Sequence, residues 1–483
     1  MQLSQYSDYD AIGLAELVRQ REVTPKELKN AAIEGIAKVN PKLNAIVNVL
    51  SEQADQEIDT GLPDGPFKGV PFLIKELVLH AAGVPTSMGS RLASGITFPH
   101  DSELMARFRK AGLVTVGTTT TPELGYGATT ESLLYGATYN PWNLAHSPGG
   151  SSGGSGAAVA AGIVPFAHAN DGGGSIRVPA SCNGLVGLKP TRGRVPTGPD
   201  YGEPLNGLGI EFALTRSVRD AAALLDAVAG PDPGCYAWAE SPKRPYRDEI
   251  SSPPQRLRIA WTAKPASGVP VDQECLDILY ETVKLCEELG HEMVEAAPVF
   301  DNDLHMLATL RLWTANLTNW ANGVARALNR TPSEENLESA IFACYRYGQT
   351  ITTAEFLEAL DIQNMVSRSV GRFFTEYDVM LSPTAARTPL PLGELNANAP
   401  GIDAKQWTEQ NFTYAAFTNL FNTTGQPAIS LPLGESSDGL PIGMQFAGRF
   451  ADEATLLRLA AQLEQARPWK DRRPVVHVAS DRP

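Results

Sequence analysis

The chain has 483 residues, of which 43% are hydrophobic and 19% charged, enough apolar material for a large core. Its net charge of −14 and pI near 5.1 speak against a nucleic-acid or anionic-membrane surface. No apolar run reaches membrane-spanning length, no basic-then-apolar leader opens the chain, and the five cysteines show no metal spacing. Free thiols in a reducing cytoplasm are their simplest account.

The predicted elements alternate. Thr24-Pro25-Lys26-Glu27 forms a capping box with proline at the first helical position, opening a helix to about Val39. Residues 43–50 alternate weakly as a strand, and Gly69-Val-Pro-Phe-Leu-Ile-Lys75 is an apolar run ending in a lysine. A helix over 101–111 stops at Gly112, and 113–117 reads as a strand. A small-residue helix over 155–162 leads into a buried strand over 163–169. Further on, helices are predicted over 217–229, 272–289, 304–328, 333–347, 353–377 and 452–466. Strands are predicted over 257–262, 291–296, 379–382, 428–431 and 442–447. No internal repeat and no linker-like break occurs, so the chain reads as one domain over 1–483. The class is α/β, with a central mixed, largely parallel sheet flanked by helices. The charged, proline-containing tail from Trp469 reads as a surface arm.

Two glycine-rich loops carry a serine each: Ser147-Pro-Gly-Gly-Ser151-Ser-Gly-Gly-Ser155 and Asp171-Gly-Gly-Gly-Ser175-Ile-Arg177. Glycine/serine segments are usually linkers. Here both runs are flanked by apolar stretches, 157–164 and 178–188, and carry fixed polar residues, Pro148, Asp171 and Arg177. The run Gly172-Gly173-Gly174 can turn successive N–H groups toward one point and build a concave anion site. A serine following it finds an oxyanion hole in place. Asp171 and Arg177 read as an ion pair that holds this loop, and Ser152 and Ser155 as hydroxyls bonded to its backbone.

A serine hydroxyl needs a base. The seven histidines are scattered and neither loop contains one, while His291-Glu-Met-Val-Glu lacks the second histidine of a zinc helix. No metal or cofactor is expected. A desolvated, neutral lysine can serve as base, and Lys75, ending the run Val70–Ile74, is the candidate. A lysine at a strand end is by itself more often a solvent-facing one.

Taken together, Gly69-Val-Pro-x-x-x-Lys75-Glu, Gly149-Gly-Ser-Ser-Gly-Gly154 and Asp171-x-Gly-Gly-Ser-Ile-Arg-x-Pro-Ala180 resemble the amidase signature family. The likeness extends to Asn140-Pro-Trp-Asn143, Gly187-Leu-Lys-Pro-Thr191, Gly425-Gln-Pro-Ala-Ile-Ser-Leu-Pro432 and Gly439-Leu-Pro-Ile-Gly-Met-Gln445, so it spans nearly the whole chain, with the signature core at about 69–200. The resemblance implies an amidase with a Ser–cis-Ser–Lys triad: Ser175 as nucleophile, Ser151 as bridging serine on a cis peptide bond, Lys75 as base. It implies an oxyanion hole of backbone N–H groups from Gly172, Gly173, Gly174 and Ser175, and places Gly125 and Tyr126 near the scissile bond. The helical stretch at about 303–377, with Trp313 on its apolar side, is a candidate substrate lining, although a tryptophan at helical spacing is more often core. Ala167-His-Ala-Asn-Asp171, Gly187–Arg194 and Asn329-Arg-Thr-Pro-Ser-Glu-Glu335 point within the family to bacterial amidases of the aminohexanoate cyclic-dimer hydrolase kind. The wording departs from many members at His168-Ala-Asn170, where a Gly or Ser followed by Thr is common, and at Gly172, where a bulkier residue is common. Both positions flank the expected oxyanion hole and bear on substrate shape.

The expected substrate is a neutral or hydrophobic small amide. No nucleic acid or membrane partner is expected, and a homodimer is compatible with the chain. Two rivals remain. Gly149-Gly-Ser151-Ser-Gly153 matches a nucleophile elbow, but residues 141–148 do not read as the strand that elbow needs. An amidotransferase subunit acting in a complex on charged tRNA shares the signature, against the grain of the acidic chain.

Overall fold

The computed structural model describes residues 1–480. Thirteen strands are β1 (Ile46–Val49), β2 (Pro71–Lys75), β3 (Val114–Thr119), β4 (Glu131–Ser132), β5 (Gly136–Ala137), β6 (Phe166–Asp171), β7 (Val186–Lys189), β8 (Ile210–Thr215), β9 (Arg258–Trp261), β10 (Glu292–Glu295), β11 (Val379–Pro383), β12 (Ala428–Glu435) and β13 (Pro441–Gly448). Eleven form one sheet in the order β1-β3-β2-β6-β8-β7-β12-β13-β11-β9-β10, and β4 pairs with β5 in a small ribbon. β2, β3, β6, β7 and β8 are buried at every residue, their polar side chains included.

The expected α/β class with a mixed central sheet is present. Parallel ladders lie in two blocks, β3–β2–β6 and β11–β9–β10. Between them β6, β8, β7, β12, β13 and β11 pair antiparallel. The parallel share is smaller than helix–strand alternation suggests; of the antiparallel pairs, β12 and β13 are joined by a hairpin turn with Gly439 N–H on Ser436 O.

The capping box at Thr24 is formed, and its helix runs past Pro41 to Leu43. The helix expected from 333 begins at Ser339, because Ser333 to Asn336 closes a turn of its own. β8 and the helix Arg177–Asn183 lie in stretches given no element from the sequence. Among the described residues no helix is long and apolar enough to cross a membrane. All five cysteines are unpaired.

The tail corrects its reading as a surface arm. Trp469 and Val478 are buried; Trp469 Nε1 donates to Arg216 O at 2.9 Å and Val478 N–H to Ala161 O at 2.9 Å. Lys470, Asp471 and Arg473 between them are exposed, while Val476 is buried and helps to anchor the segment. Val478→Asp is therefore expected to lower the melting temperature sharply, and Val478→Ala to cost roughly 2 kcal/mol of stability. Thermal unfolding of the full chain checks this; unchanged melting of both variants would return the tail to a surface role.

Candidate active site

Lys75 is the last residue of β2 and Asp171 the last of β6, and the two strands run parallel in register at Leu73 and Ala167. Their carboxyl ends therefore open side by side, where ligands of open α/β sheets commonly bind. The Ser151 loop enters from the start of the helix Gly153–Ala160, which packs on β6. The peptide bond Gly150–Ser151 is cis.

Lys75 is buried, its ammonium head 2.7 Å from Ser151 Oγ, 3.0 Å from Ser152 Oγ and 2.6 Å from Asn170 Oδ1. Burial pulls its pKa down to about 7, against the opposing pull of Glu211 and Asp171. The strand-end lysine thus points inward. Its backbone N–H donates to His168 Nδ1 at 3.3 Å, which leaves the Nε2–H of His168 to face Glu211 Oε2 at 2.7 Å.

Asp171 and Arg177 form the expected structural pair, both fully buried. Arg177 donates to Asp171 Oδ2 through Nε at 2.9 Å and to Oδ1 through Nη2 at 2.8 Å. The guanidinium holds the Asp171 carboxyl well below the usual carboxylate range against the desolvation that would raise it. Asp171 then organises the loop, accepting from Gly174 N–H at 2.7 Å and Ile176 N–H at 3.1 Å. This corrects one expectation: the Gly174 N–H is turned onto Asp171, so it does not face the hole. Gly174 sits at φ +141, and a Cβ there would lie 2.4 Å from Thr418 Oγ1, so the glycine is required.

Ser151 and Ser175 line one cavity of about 500 Å³, with Gly125 and Trp313 in its wall. No hydrogen bond joins the two serine hydroxyls among the described residues. A second cavity of about 330 Å³ shares Gly125, Ser175 and Trp313 and adds Tyr126, Val178 and Phe412. The indole of Trp313 stacks on Tyr126, ring centroids 4.7 Å apart, and Tyr126 is held by its hydroxyl 2.6 Å from Thr408 Oγ1. Gly172 gives Trp313 its place, since a Cβ would come within 3.0 Å of Trp313 Cζ2 and 2.8 Å of Leu205 Cδ1. All nine residues singled out from the sequence therefore meet around these two cavities: eight line one or the other, and Lys75 lies behind the wall, 2.7 Å from Ser151 Oγ.

Sequence reasoning missed the contacts of Ser152 and Asn170 with Lys75; the signal available was the unusual wording His168-Ala-Asn170. It also missed Leu205 and Phe412 in the cavity walls, whereas Trp320, on the helix read as a candidate lining, does stand in the larger one. One cluster falls outside the expected absence of metal-ligand sets. His80 Nδ1 and His100 Nε2 lie 2.8 and 3.0 Å from Asp200 Oδ2, distances that hydrogen bonds account for.

The family model for amidases matches residues 27–457. The chain is 39% identical over 475 residues to the 6-aminohexanoate-cyclic-dimer hydrolase of Paenarthrobacter ureafaciens, covering 96% of each. It is 40% identical over 476 residues to the enzyme of that name from Pseudomonas sp. strain NK87, again 96% of each. Among solved structures, a 6-aminohexanoate cyclic dimer hydrolase complexed with substrate superposes with a TM-score of 0.92 at 37% identity, covering 98% of this chain and 100% of that one. The chain belongs to the amidase signature family. It is an amide hydrolase, acting on carbon–nitrogen bonds, and is similar over nearly its full length to cyclic-dimer hydrolases.

Proposed function

We propose that the protein hydrolyses a neutral, largely apolar small amide through an acyl-enzyme on Ser175. The observation that carries this is Lys75, buried, held 2.7 Å from Ser151 Oγ, beside the cavity that Ser175 lines. Neutral Lys75 accepts a proton from Ser151 as Ser151 accepts one from Ser175, and Ser175 Oγ bonds to the amide carbon. The hydrogen bond that this relay needs between the two serines forms in the Michaelis complex, where catalytic contacts tighten. The N–H groups of Gly172, Gly173 and Ser175 receive the oxyanion. The C–N bond breaks as the relay returns the proton to the leaving amine, and water then cleaves the ester by the same relay.

The walls support the substrate class. Leu77, Val78, Leu124, Leu205, Leu317 and Trp320 surround the larger cavity, and Ala128, Val178, Phe412 and Ala415 the smaller. The polar groups in the larger one are already engaged: Asn170 with Lys75, Asp171 with Arg177, Glu211 with His168. No wall charge is left to pair with a charged substrate, whose burial would then be unfavourable. An apolar group on each side of the scissile carbonyl fits, and a cyclic oligoamide of 6-aminohexanoate type, which has no free termini, meets that description. The helical stretch 303–377 supplies part of the lining through Trp313, Leu317 and Trp320.

A panel of 6-aminohexanoate cyclic dimer, fatty-acyl amides, anilides and carboxylate-bearing amides tests this. Neutral members are expected to have kcat/KM at least tenfold above their carboxylate-bearing analogues. Equal rates across the panel, or activity confined to a charged tRNA-linked substrate with a partner subunit present, would overturn it. The amidotransferase alternative is not favoured by the full-length likeness to the cyclic-dimer hydrolases.

A further inference from the structure

We propose that Asn170 is a positioning residue: it fixes which hydrogen-bonding face a neutral Lys75 turns to Ser151. The proposal rests on the reading of Lys75 as the base. A neutral amine offers two N–H donors and one lone pair, and only the lone pair can take a proton. Which neighbour receives the lone pair is decided by what the other neighbours are able to do.

Three oxygens surround Lys75 Nζ. Asn170 Oδ1, at 2.6 Å, can only accept, because the amide is oriented by its Nδ2 donating to Leu77 O at 2.9 Å. Ser152 Oγ, at 3.0 Å, has its own hydrogen directed to Asn170 O at 3.2 Å, so it also presents a lone pair to the amine. Asn170 thus sets two of the three contacts, one through its side chain and one through its carbonyl. Both N–H groups of the neutral amine are taken up. Its lone pair is left for Ser151, at 2.7 Å, the hydroxyl that must give up a proton. When Lys75 is protonated, the third N–H points along the same line and returns the proton by that path. The shell serves both states without rearrangement, which is how preorganised sites avoid a reorganisation penalty.

The electrostatic setting explains why the acceptor is an amide. From β8, Glu211 faces the site through His168 of β6; from β6, Asp171 is neutralised by Arg177. Both carboxylates favour the ammonium form of Lys75 and work against burial. A third negative charge at the position of Asn170 Oδ1 would trap the proton on the amine. An amide gives the same acceptor geometry with no net charge.

The experiment is a pH–rate profile on a neutral amide for wild type, Asn170→Asp and Asn170→Ala, with kcat and KM resolved and Lys75→Ala as control. Asn170→Asp is expected to lose about 100-fold in kcat near neutral pH and to move the limb on which activity rises with pH by at least one unit to the alkaline side. Asn170→Ala is expected to lose about tenfold in kcat with KM unchanged and no alkaline displacement. If Asn170→Asp does not fold, the Ala variant decides alone. A wild-type profile in the Asp variant, or an Ala variant whose loss lies in KM alone or is absent, would show that Asn170 does not orient the base. Should Lys75→Ala itself keep the wild-type profile, the base assignment fails, and that outcome is distinct because it is read from the control.

Discussion

Replacing Ser175 by alanine is expected to abolish turnover of amides and esters alike, a loss on the order of 10⁶-fold in kcat, as when a serine hydrolase loses its nucleophile. The fold should be untouched. Ser175 follows the nest, lines both cavities, and its neighbour Gly174 is held by Asp171 rather than by the serine hydroxyl. Melting curves of the variant and wild type should superimpose. A serine-directed phosphonate should label wild type on Ser175 and leave the variant unlabelled. If the serines and the lysine act as one unit, as proposed, Ser151→Ala added to Ser175→Ala should lower the rate no further. Mass spectrometry finding the adduct on Ser151 would instead favour the nucleophile-elbow reading. That reading needs a strand running into the serine, and Ser151 is preceded by the extended, turn-rich stretch 139–150.

The helices and strands with clear periodicity, and the three signature segments, were legible because each depends on local pattern. The capping box at Thr24 and the buried run ending at Lys75 need no tertiary information. What could not be read depends on contacts between distant residues. Gly174 sits inside a glycine run that promises N–H groups to an anion, yet Asp171, three residues earlier, claims its N–H once Arg177 has fixed the carboxylate. The tail from Trp469 looks polar in sequence, and its burial follows from two anchors, Trp469 on Arg216 O and Val478 on Ala161 O. In the sequence Asn170 stands out only as unusual wording, because the meaning of an acceptor-only amide appears when Lys75 and Ser152 stand next to it. The antiparallel middle of the sheet was hidden for the same reason: alternation tells which residues are strands, not which strands are neighbours.

Lys75→Ala is expected to lose most of the rate on amides and less on activated esters, whose leaving group needs no proton from the relay. Lys75→Arg should not rescue, since a guanidinium stays charged and offers no lone pair. For wild type, an exposed lysine titrates near 10.4, whereas burial brings Lys75 to about 7. Activity on the amide should therefore rise with pH along one ionisation centred near neutrality and then level off. The same displacement fixes a dependence of stability on pH. Between the folded value near 7 and the unfolded value near 10.4, the unfolded chain holds a proton on this lysine that the folded chain lacks. Unfolding is then accompanied by proton uptake at Lys75, and this contribution to stability grows as pH rises through that window. Below about 7 the folded lysine is charged too, and the full desolvation penalty is carried. Lys75→Met removes the dependence. Whatever offset the lost hydrogen bonds to Asn170 and Ser152 introduce, the stability of wild type relative to the Met variant should climb between pH 7 and 10. Denaturant unfolding of both proteins across that range measures the slope. A constant difference, together with an amide profile in Lys75→Ala that matches wild type, would mean that Lys75 keeps its proton throughout and that another group takes the proton from Ser151.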